Sequence, residues 1–252
     1  MKQGIIIPVY RHGKTVCAVA ERLLRFNLPI ILIDDGNEES EKKILEEYAA
    51  KTNGVTLTRL EKNSGKGGAV IKGFLKAAEM GITHVLQIDA DGQHDDEKAS
   101  FFLEESARHP DMVICGFPEF DESAPRSRVI GRKISRFWAA VTTLSVELKD
   151  THCGFRVYPV APALGIIKNP FIEKRMGFDT EIMVRLYWKK IYPRFYPVKV
   201  IYPEGGISNF NMVKDNIFIS WTFTRLCVGM LLRLPLLIIR KITRRKINER
   251  NG

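Results

Sequence analysis

The stretch THVLQIDADGQHDD, residues 83–96, decides the fold because an apolar run passes directly into a group of carboxylates. The apolar residues 85–88 are typical of a strand that is buried on both faces. Asp89 and Asp91 stand two positions apart, so at the end of a strand both side chains can face the same side. The stretch therefore predicts a buried strand, residues 83–91, whose carboxyl end is acidic.

The same kind of apolar run recurs along the first half of the chain, separated by helical stretches. Strands are predicted at 4–10, 28–35, 54–60 and 111–117, with helices at 14–26, 38–51, 66–80 and 96–108. This alternation is typical of an α/β protein with a mostly parallel, doubly wound sheet flanked by helices. After a loop at 118–128, the pattern predicts helices at 129–145 and 178–190 and a last strand near 194–202.

The charge balance indicates an anionic partner, since 39 Lys and Arg stand against 29 Asp and Glu, a net charge of +10 in 252 residues. Phosphate-bearing substrates, a membrane surface or nucleic acid would fit this balance. The sequence has no aromatic-and-basic motif of a nucleic-acid module, so nucleic acid is not an expected partner. Four widely separated cysteines give neither zinc-site spacing nor a compact disulfide framework. Because the first residues do not form a signal peptide, we expect a cytoplasmic protein.

The chain divides into a predicted domain, residues 1–215, and a C-terminal helical segment, residues 216–252, which includes the most apolar stretch of the sequence. Arg225 and Arg233 oppose a bilayer-spanning helix, since each mid-bilayer charge costs about 3 kcal/mol. Apolar residues and a cationic cluster occur together, so we expect the segment to lie in the membrane interface. Its expected lipid-facing residues are Trp221, Phe223, Leu231 and Leu232. The alternative is a C-terminal helix packed on the domain.

Acidic or polar residues follow three of the predicted strands, at residues 10–12, 34–36 and 89–91. In open α/β sheets, ligands bind outside the carboxyl ends of the strands. Carboxylates gathered at that edge repel each other, and a divalent cation would remove this cost. Hard oxygen ligands favour Mg²⁺ or Mn²⁺, which share their coordination with substrate phosphates. The alternative is that the acids cap the following helix, which is the role expected for Asp95.

The glycine-rich segment NSGKGGAV, residues 63–70, precedes a predicted helix. Its three glycines allow close approach to the backbone, and a helix N-terminus favours anions. The segment matches neither the P-loop pattern nor GxGxxG. Next to two acidic strand ends, it is predicted to lie beside a phosphate or a ribose.

Six segments together resemble one family, the inverting family 2 glycosyltransferases with the GT-A fold. They are IPVY (7–10), IDDG (33–36), NSGKGGAV (63–70), DADGQH (89–94), DTHCGFRVYP (150–159) and GFDTEIMVR (177–185). Within that family the chain is most similar to the polyprenyl- and dolichyl-phosphate sugar transferases, over about residues 4–205. The stretches YPEGGISNF (202–210) and WTFTRLCVGML (221–231) resemble a subgroup associated with bacterial aryl-polyene lipid pathways.

The resemblance implies a donor site, a metal site and a phosphate site. The implied nucleotide-sugar residues are Pro8, Tyr10, Asp35, Gly65, Lys66, Asp89, Ala90, Asp91 and Gln93. Mg²⁺ or Mn²⁺ would be held by Asp89 and Asp91, with Asp91 as the stronger ligand. The implied residues for the diphosphate or the acceptor phosphate are Arg126, Arg128, Arg132, Lys133, Arg156 and Arg175. The alternatives are solvated helix charges and, for Arg156, a structural partner of an acid.

The expected activity is a metal-dependent hexosyl transfer from a UDP- or GDP-sugar to a membrane lipid, above all polyprenyl phosphate. A phosphate acceptor needs no base, whereas a hydroxyl acceptor on another lipid or glycan does. The candidate bases are Asp150, then Glu181, with Asp179 either a third candidate or only a helix cap. The enzyme would lie peripherally on the inner face of the cytoplasmic membrane.

Two rival classes are weaker. A sugar-1-phosphate nucleotidyltransferase would carry a glycine-rich signature directly after the first strand, which PVYRHGKT (8–15) lacks. A non-catalytic basic membrane-binding module would explain the net charge but not the acids at the strand ends.

Overall fold

The computed structural model describes residues 1–94, 96–120, 126–200, 211 and 213–250, with side-chain environments as far as residue 243. The strands are β1 (Gln3–Val9), β2 (Ile30–Asp34), β3 (Val55–Arg59), β4 (His84–Gln87), β5 (Val113–Glu119), β6 (Arg156–Pro159) and β7 (Pro193–Lys199). The helices of the first half are α1 (Gly13–Leu23), α2 (Glu39–Lys51), α3 (Lys66–Glu79) and α4 (Ala99–Arg108). Those of the second half are α5 (Arg126–Thr143), α6 (Val160–Ile167), α7 (Phe178–Trp188), α8 (Lys214–Leu231) and α9 (Leu234–Arg250).

The strands form one seven-stranded sheet in the order β3-β2-β1-β4-β6-β5-β7. β1 pairs in parallel with both β2 and β4, and β5 pairs in parallel with β7. β6 runs antiparallel to its neighbours β4 and β5. The predicted α/β class with a mostly parallel sheet flanked by helices is confirmed.

The core lies on both faces of the sheet because the central strands carry consecutive buried apolar residues, such as Ile5, Ile6 and Ile7 of β1. In β1, Ile6 packs into one layer with Phe74 of α3, while Ile5 and Ile7 pack into the other layer with α1. All three isoleucines are fully buried. Side chains of a strand alternate between faces, so only a continuous apolar run can fill both layers.

Three boundaries differ from the sequence-based expectation. β4 ends at Gln87, and the acidic residues 89–91 follow in a loop rather than in the strand. The helix expected at 129–145 begins three residues earlier, at Arg126. β6 was not predicted at all, since it has only four residues and ends at a proline, too short a run to register as a strand.

The C-terminal segment packs on the domain and also exposes apolar residues. On α8, Leu226 and Phe223 are buried in the same core as Phe178 of α7. The expectation that Phe223 faces lipid is therefore not met, because the side chain fills the core. Trp221, Leu231 and Leu232, named with it, are exposed. We thus find an inner face of α8 that belongs to the domain and an outer face that does not.

Among the described residues, no single helix is both long and apolar enough to cross a membrane. α8 and the part of α9 from Leu234 to Thr243 meet that criterion only as a pair, with a bend of 75° between them.

Candidate active site

The topology brings four segments to one edge of the sheet. β1, β2 and β4 are parallel, so their carboxyl ends lie together. β6 is antiparallel, and its first residue, Arg156, pairs in register with Gln87, the last residue of β4. The segment DTHCGFRVYP therefore enters the sheet where the acidic loop leaves it. The antiparallel strand explains why residues so far apart in sequence meet at this edge.

Lys66 joins two carboxylates at the centre of this edge. Its Nζ lies 2.8 Å from Oδ1 of Asp89 and 2.9 Å from Oδ2 of Asp179. Lys66 is the first residue of α3, and Asp179 lies in the first turn of α7. The ammonium thus ties the glycine-rich segment, the acidic loop and α7 together.

Lys66 and Asp89 hold each other in the ionised state. Burial raises the pKa of Asp89, but the attraction of Lys66 and a hydrogen bond from His94 outweigh it and keep this pKa below its usual range. Burial lowers the pKa of Lys66, but the carboxylates of Asp179 and Asp89 outweigh it and raise this pKa above the usual value. At neutral pH the site therefore contains a charged Lys66 paired with an ionised Asp89, and Asp179 lies on the other side of the lysine.

Gly154 allows Asp89 to occupy its position. A Cβ on residue 154 would overlap the carboxylate of Asp89, which packs directly against the glycine. The glycine in the GFR segment is thus required by a close approach rather than by its backbone angles. Any larger residue at position 154 would push the acidic loop away from β6.

Asp91 is half-buried, and its Oδ1 accepts a hydrogen bond of 3.0 Å from the backbone N–H of Gln93. In the described part of the chain, no group of three or more His, Cys, Asp or Glu residues converges as a metal site. Asp91 nevertheless offers hard carboxylate oxygens of the kind that Mg²⁺ and Mn²⁺ accept. Both ions commonly take one or two protein carboxylates and complete their shell with water and substrate phosphates. The residues present fit such a partly open site, with Asp89 already facing Lys66.

Asp35 anchors the glycine-rich segment to the end of β2. It is 2% exposed, and its carboxylate accepts hydrogen bonds from the backbone N–H of Ser64 (2.7 Å) and the side-chain amide of Asn63 (3.1 Å). Burial raises the pKa of Asp35 to about 6, although the backbone N–H groups of Ser64 and Gly65 and the nearby Arg175 oppose the shift. The neighbouring Asp34 instead pairs with Arg59, at 2.6 Å, and supports the strand end.

A basic loop covers the glycine-rich segment. The backbone N–H of Gly68 donates to the carbonyl of Lys174 at 2.8 Å. Gly65 has a φ of +84°, and a Cβ there would meet Arg175 and Lys174 at 2.8 Å. The glycine is thus needed both for its left-handed backbone and for this contact. Arg175 is exposed and lies beside the predicted phosphate loop.

The remaining predicted donor residues lie at the same edge. Pro8 belongs to β1 and pairs with Ile33 of β2. Tyr10 follows β1 directly and is half-buried, with the guanidinium of Arg11 5.1 Å from its ring centre. Ala90 is buried between the two acids of the DxD segment. The structure therefore brings these donor residues together, whereas Asp95 lies outside the described residues.

The three candidate bases are all engaged with cations. Asp150 accepts two backbone N–H groups on Oδ1 and faces Arg132 at 2.5 Å on Oδ2. Burial raises its pKa, but Arg132 outweighs that effect and lowers it overall. Glu181 is fully buried between Arg185 (2.6 Å) and Arg225 (2.9 Å).

The predicted phosphate residues divide by exposure. Arg126 and Lys133 on α5 are exposed, Arg128 is partly exposed, and Arg132 is partly buried against Asp150. Arg156 is fully buried, with Nη1 2.9 Å from the Tyr158 hydroxyl and 3.2 Å from the carbonyl of Asp179. Of the two roles considered for Arg156, this burial supports that of a structural partner over that of a phosphate ligand.

Sequence reasoning missed several contributors to this edge. Nε2 of His94 lies 3.6 Å from Oδ2 of Asp89, and the His94 ring centre lies 5.6 Å from that of Phe155, with the two rings tilted. Asn63 and Gly154 were quoted within motifs but given no role. Their contacts join segments far apart in sequence, so the motifs showed only that these residues belong near the site.

These features define a class, an α/β protein whose acidic, glycine-lined sheet edge can receive a phosphorylated ligand. The chain belongs to a specific family within it, since the model of glycosyl transferase family 2 matches residues 4–160. It is a family 2 glycosyltransferase, as the resemblance implied.

Curated relatives include sugar transferases that act on lipid phosphates. A dolichyl-phosphate beta-glucosyltransferase of Dictyostelium discoideum is 32% identical over 201 residues, 71% of this chain and 60% of that protein. A UDP-N-acetylglucosamine–dolichyl-phosphate N-acetylglucosaminyltransferase of Methanococcus voltae is 24% identical, covering 90% of this chain and 97% of the relative. An undecaprenyl-phosphate mannosyltransferase of Micrococcus luteus is 26% identical over 84% of this chain and 88% of its own length. The chain thus spans less than two thirds of the first relative.

Solved structures share the fold. Glucosyl-3-phosphoglycerate synthase from Mycobacterium tuberculosis, in complex with Mn²⁺ and UDP-glucose, superposes with a TM-score of 0.64 at 13% identity, covering 90% of this chain and 79% of that one. A mannosyltransferase from Pyrobaculum calidifontis, in complex with GDP-mannose and Mn²⁺, gives a TM-score of 0.56 at 12% identity over 81% and 58% of the two chains. The stretch 202–210, which carries the closer likeness to the aryl-polyene subgroup, lies outside the described residues.

Proposed function

We propose that this protein is a metal-dependent, inverting hexosyltransferase that moves a sugar from a UDP- or GDP-sugar to polyprenyl phosphate. The choice of an ionised acceptor rests on one observation, the ion pairs made by the three candidate bases. Asp150, Asp179 and Glu181 are each paired with a buried or half-buried cation. Their oxygens are occupied by these ion pairs, and for Asp150 the pairing with Arg132 also lowers the pKa, so that this carboxylate accepts a proton poorly. An acceptor that arrives already ionised avoids the problem, and a lipid phosphate is such an acceptor.

The donor would bind across the carboxyl ends of β1, β2 and β4. Asp35 and Tyr10 would contact the nucleoside, with Pro8 beneath it. Backbone groups of the segment around Gly65 would face the phosphates, because that segment opens α3. Arg175, exposed above Gly65, supplies a cation on the same side.

Asp91 would hold Mg²⁺ or Mn²⁺, with Gln93 fixing the carboxylate through its backbone N–H. The ion, when bound, would neutralise charge on the leaving diphosphate. Asp89 would act through its pair with Lys66, which keeps the acidic loop against β6 and α7. We infer from this pairing that Asp89 is the weaker metal ligand of the two.

The acceptor phosphate would approach from the side of α5. Arg126, Arg128 and Lys133 lie on that helix, and Arg132 is oriented by Asp150. Attack on the anomeric carbon from the face opposite the diphosphate would invert the configuration. The acceptor is a membrane lipid, so this proposal places the protein peripherally on the inner face of the cytoplasmic membrane. The outer face of α8, with Trp221 and Leu231 exposed, supports that position.

A thermal-shift screen of UDP- and GDP-sugars with and without Mn²⁺ tests the donor. A ligand at a hundredfold excess over its dissociation constant stabilises the fold by about 2.7 kcal/mol, so the correct donor will stand out. Transfer from that donor should then occur to undecaprenyl phosphate but not to undecaprenol.

Two results would contradict the proposal. Equal transfer to the phosphate and to the free alcohol would contradict the choice of an ionised acceptor. Release of pyrophosphate instead of a nucleoside diphosphate would identify a nucleotidyltransferase.

A further inference from the structure

Helix α5 has its large apolar residues on the outside. Its buried positions hold the small residues Ser135, Ala139 and Thr142. Ile130, Ile134 and Phe137 follow at helical spacing on another face and are 57%, 55% and 61% exposed. A helix that only completed a protein core would have the opposite arrangement.

A groove runs between the C-terminal half of α5 and helix α9. Its volume is about 810 Å³, and its wall includes Phe137, Ala140 and Val141 of α5 together with Leu237 of α9. Tyr187, near the end of α7, also lines it. Tyr187 lies eight residues after Asp179, about 12 Å along the helix axis, so the groove is separate from the sheet edge that holds the donor residues.

Two cations border this apolar groove. Lys241 is exposed, and Arg240 donates through Nη1 to the carbonyl of Trp188 at 2.6 Å. The Nε of Arg240 is buried and has no hydrogen-bond partner among the described residues. One acid, Glu147, also lines the groove. The chain continues beyond Lys241 with Arg and Lys at positions 244–246, which adds positive charge to the same helix.

We propose that this groove binds one anionic diacyl phospholipid of the bilayer, with an acyl chain along the apolar wall and the phosphate at Arg240 and Lys241. An apolar wall joined to a cationic rim complements the acyl chain and the phosphate of such a lipid. The exposed residues of α5 would enter the leaflet beside it. This inference rests on the proposed action at a membrane lipid, but it concerns a site distinct from donor and acceptor.

The test uses the full-length protein without any sugar donor, so its outcome is independent of transfer. Binding of dihexanoyl-phosphatidylglycerol, below its micellar concentration, is measured by titration calorimetry, with dihexanoyl-phosphatidylcholine as the uncharged-headgroup control. We expect the anionic lipid to bind with one-to-one stoichiometry and the zwitterionic lipid to bind at least about fivefold more weakly, the effect of about one cationic contact.

Charge and shape are then separated by two matched pairs of variants. Lys241→Glu should weaken phosphatidylglycerol binding about fivefold or more, whereas Lys51→Glu, the same change at an exposed site on α2, should not. Ala140→Trp should fill the groove and abolish binding, whereas Ala161→Trp, at an exposed position on α6, should leave it intact. Thermal unfolding of each variant shows that it is folded.

Three outcomes would overturn the proposal. The first is equal binding of phosphatidylglycerol and phosphatidylcholine. The second is an equal loss of phosphatidylglycerol binding in Lys241→Glu and Lys51→Glu. The third is that the protein, in the same assay, binds polyprenyl phosphate but neither phospholipid. If neither phospholipid binds and the protein forms a dimer that Phe137→Ser abolishes, the exposed face of α5 is instead assigned to a second copy of the chain.

Discussion

The sheet edge and the outer surface of α5, α8 and α9 use charge in opposite ways. At the sheet edge, Lys66 lies between the carboxylates of Asp89 and Asp179, and each charge is stabilised by its neighbours. Helix α5, by contrast, carries five Arg or Lys residues and no acid within Arg126–Thr143, beside exposed Ile134 and Phe137. Paired charges fix geometry at the sheet edge, whereas on α5 Arg132 pairs with Asp150 and the exposed Arg126 and Lys133 face solvent. The contrast separates the site proposed to position a donor from the surface proposed to contact lipid.

The strongest test of the sheet edge is Asp91→Asn. We expect a loss of roughly a thousandfold in kcat/KM, about 4 kcal/mol, together with loss of metal-dependent donor binding. Asp111→Asn, at an exposed acid before β5, is the matched control and should have no effect. Steady-state kinetics and the thermal shift with Mn²⁺ measure both. Unchanged activity in Asp91→Asn would remove the metal assignment.

Lys66→Met breaks the charge pairing itself. It removes the cation between Asp89 and Asp179 and leaves Asp179 to the more distant Arg156, at 3.9 Å, which should lower the free energy of unfolding by about 3 kcal/mol. Lys76→Met, on the same helix but paired only with exposed Glu79, should change stability by less than about 0.5 kcal/mol. Urea unfolding compares the two variants. If both variants lose a similar amount of unfolding free energy, the pairing of Lys66 with Asp89 and Asp179 contributes no more than an exposed ion pair.

Two leucines on α8 test the inner and outer faces of one helix. Leu226 is 1% exposed and Leu231 is 60% exposed. Leu226→Ala should cost about 2–3 kcal/mol of stability, and Leu231→Ala less than about 0.5 kcal/mol. Co-sedimentation with anionic vesicles should show the reverse order, with vesicle binding lost in Leu231→Ala and kept in Leu226→Ala. If both variants bind vesicles like the wild type, the outer face of α8 does not contact lipid.

The smallest expected effect is a pH dependence at Asp35. Burial raises its pKa to about 6 in the folded protein, above the ordinary value. The folded state therefore holds this proton more tightly, and the stability it contributes is present at low pH and is lost as pH rises through about 6. Relative to the wild type, Asp35→Asn should gain about 3 °C in Tm between about pH 4 and pH 7. A Tm difference that stays constant with pH would contradict the shifted pKa.

The sequence predicted the fold well where local pattern determines structure. The buried parallel strands β1, β2 and β5 were found because their apolar runs fill two layers of core, and the family followed from ordered motifs at the strand ends. β6 was missed because its antiparallel pairing with β4 depends on residues that lie far away in the chain. The bonding of Asp150 and Glu181 was missed for the same reason, since no local pattern reveals that an acid faces an arginine 18 or 44 positions away.

The C-terminal segment shows a different limit. Its apolar composition correctly indicated exposed hydrophobic residues, including Trp221 and Leu231. Composition alone could not separate them from Phe223, since all lie on one helix and only the packing partner decides which face is buried. The division of the chain at residue 215 stays a prediction.

Glu181 connects helix α8 to the loop that rests on the glycine-rich segment. Its carboxylate binds Arg225 of α8 and also accepts the backbone N–H of Glu173 at 2.8 Å, next to Lys174, whose carbonyl holds Gly68. If α8 moves, the loop that rests on the glycine-rich segment has to move with it. Otherwise the buried carboxylate of Glu181 loses Arg225 as its partner, at a cost of several kcal/mol. One carboxylate therefore couples the position of α8 to that of the glycine-rich segment.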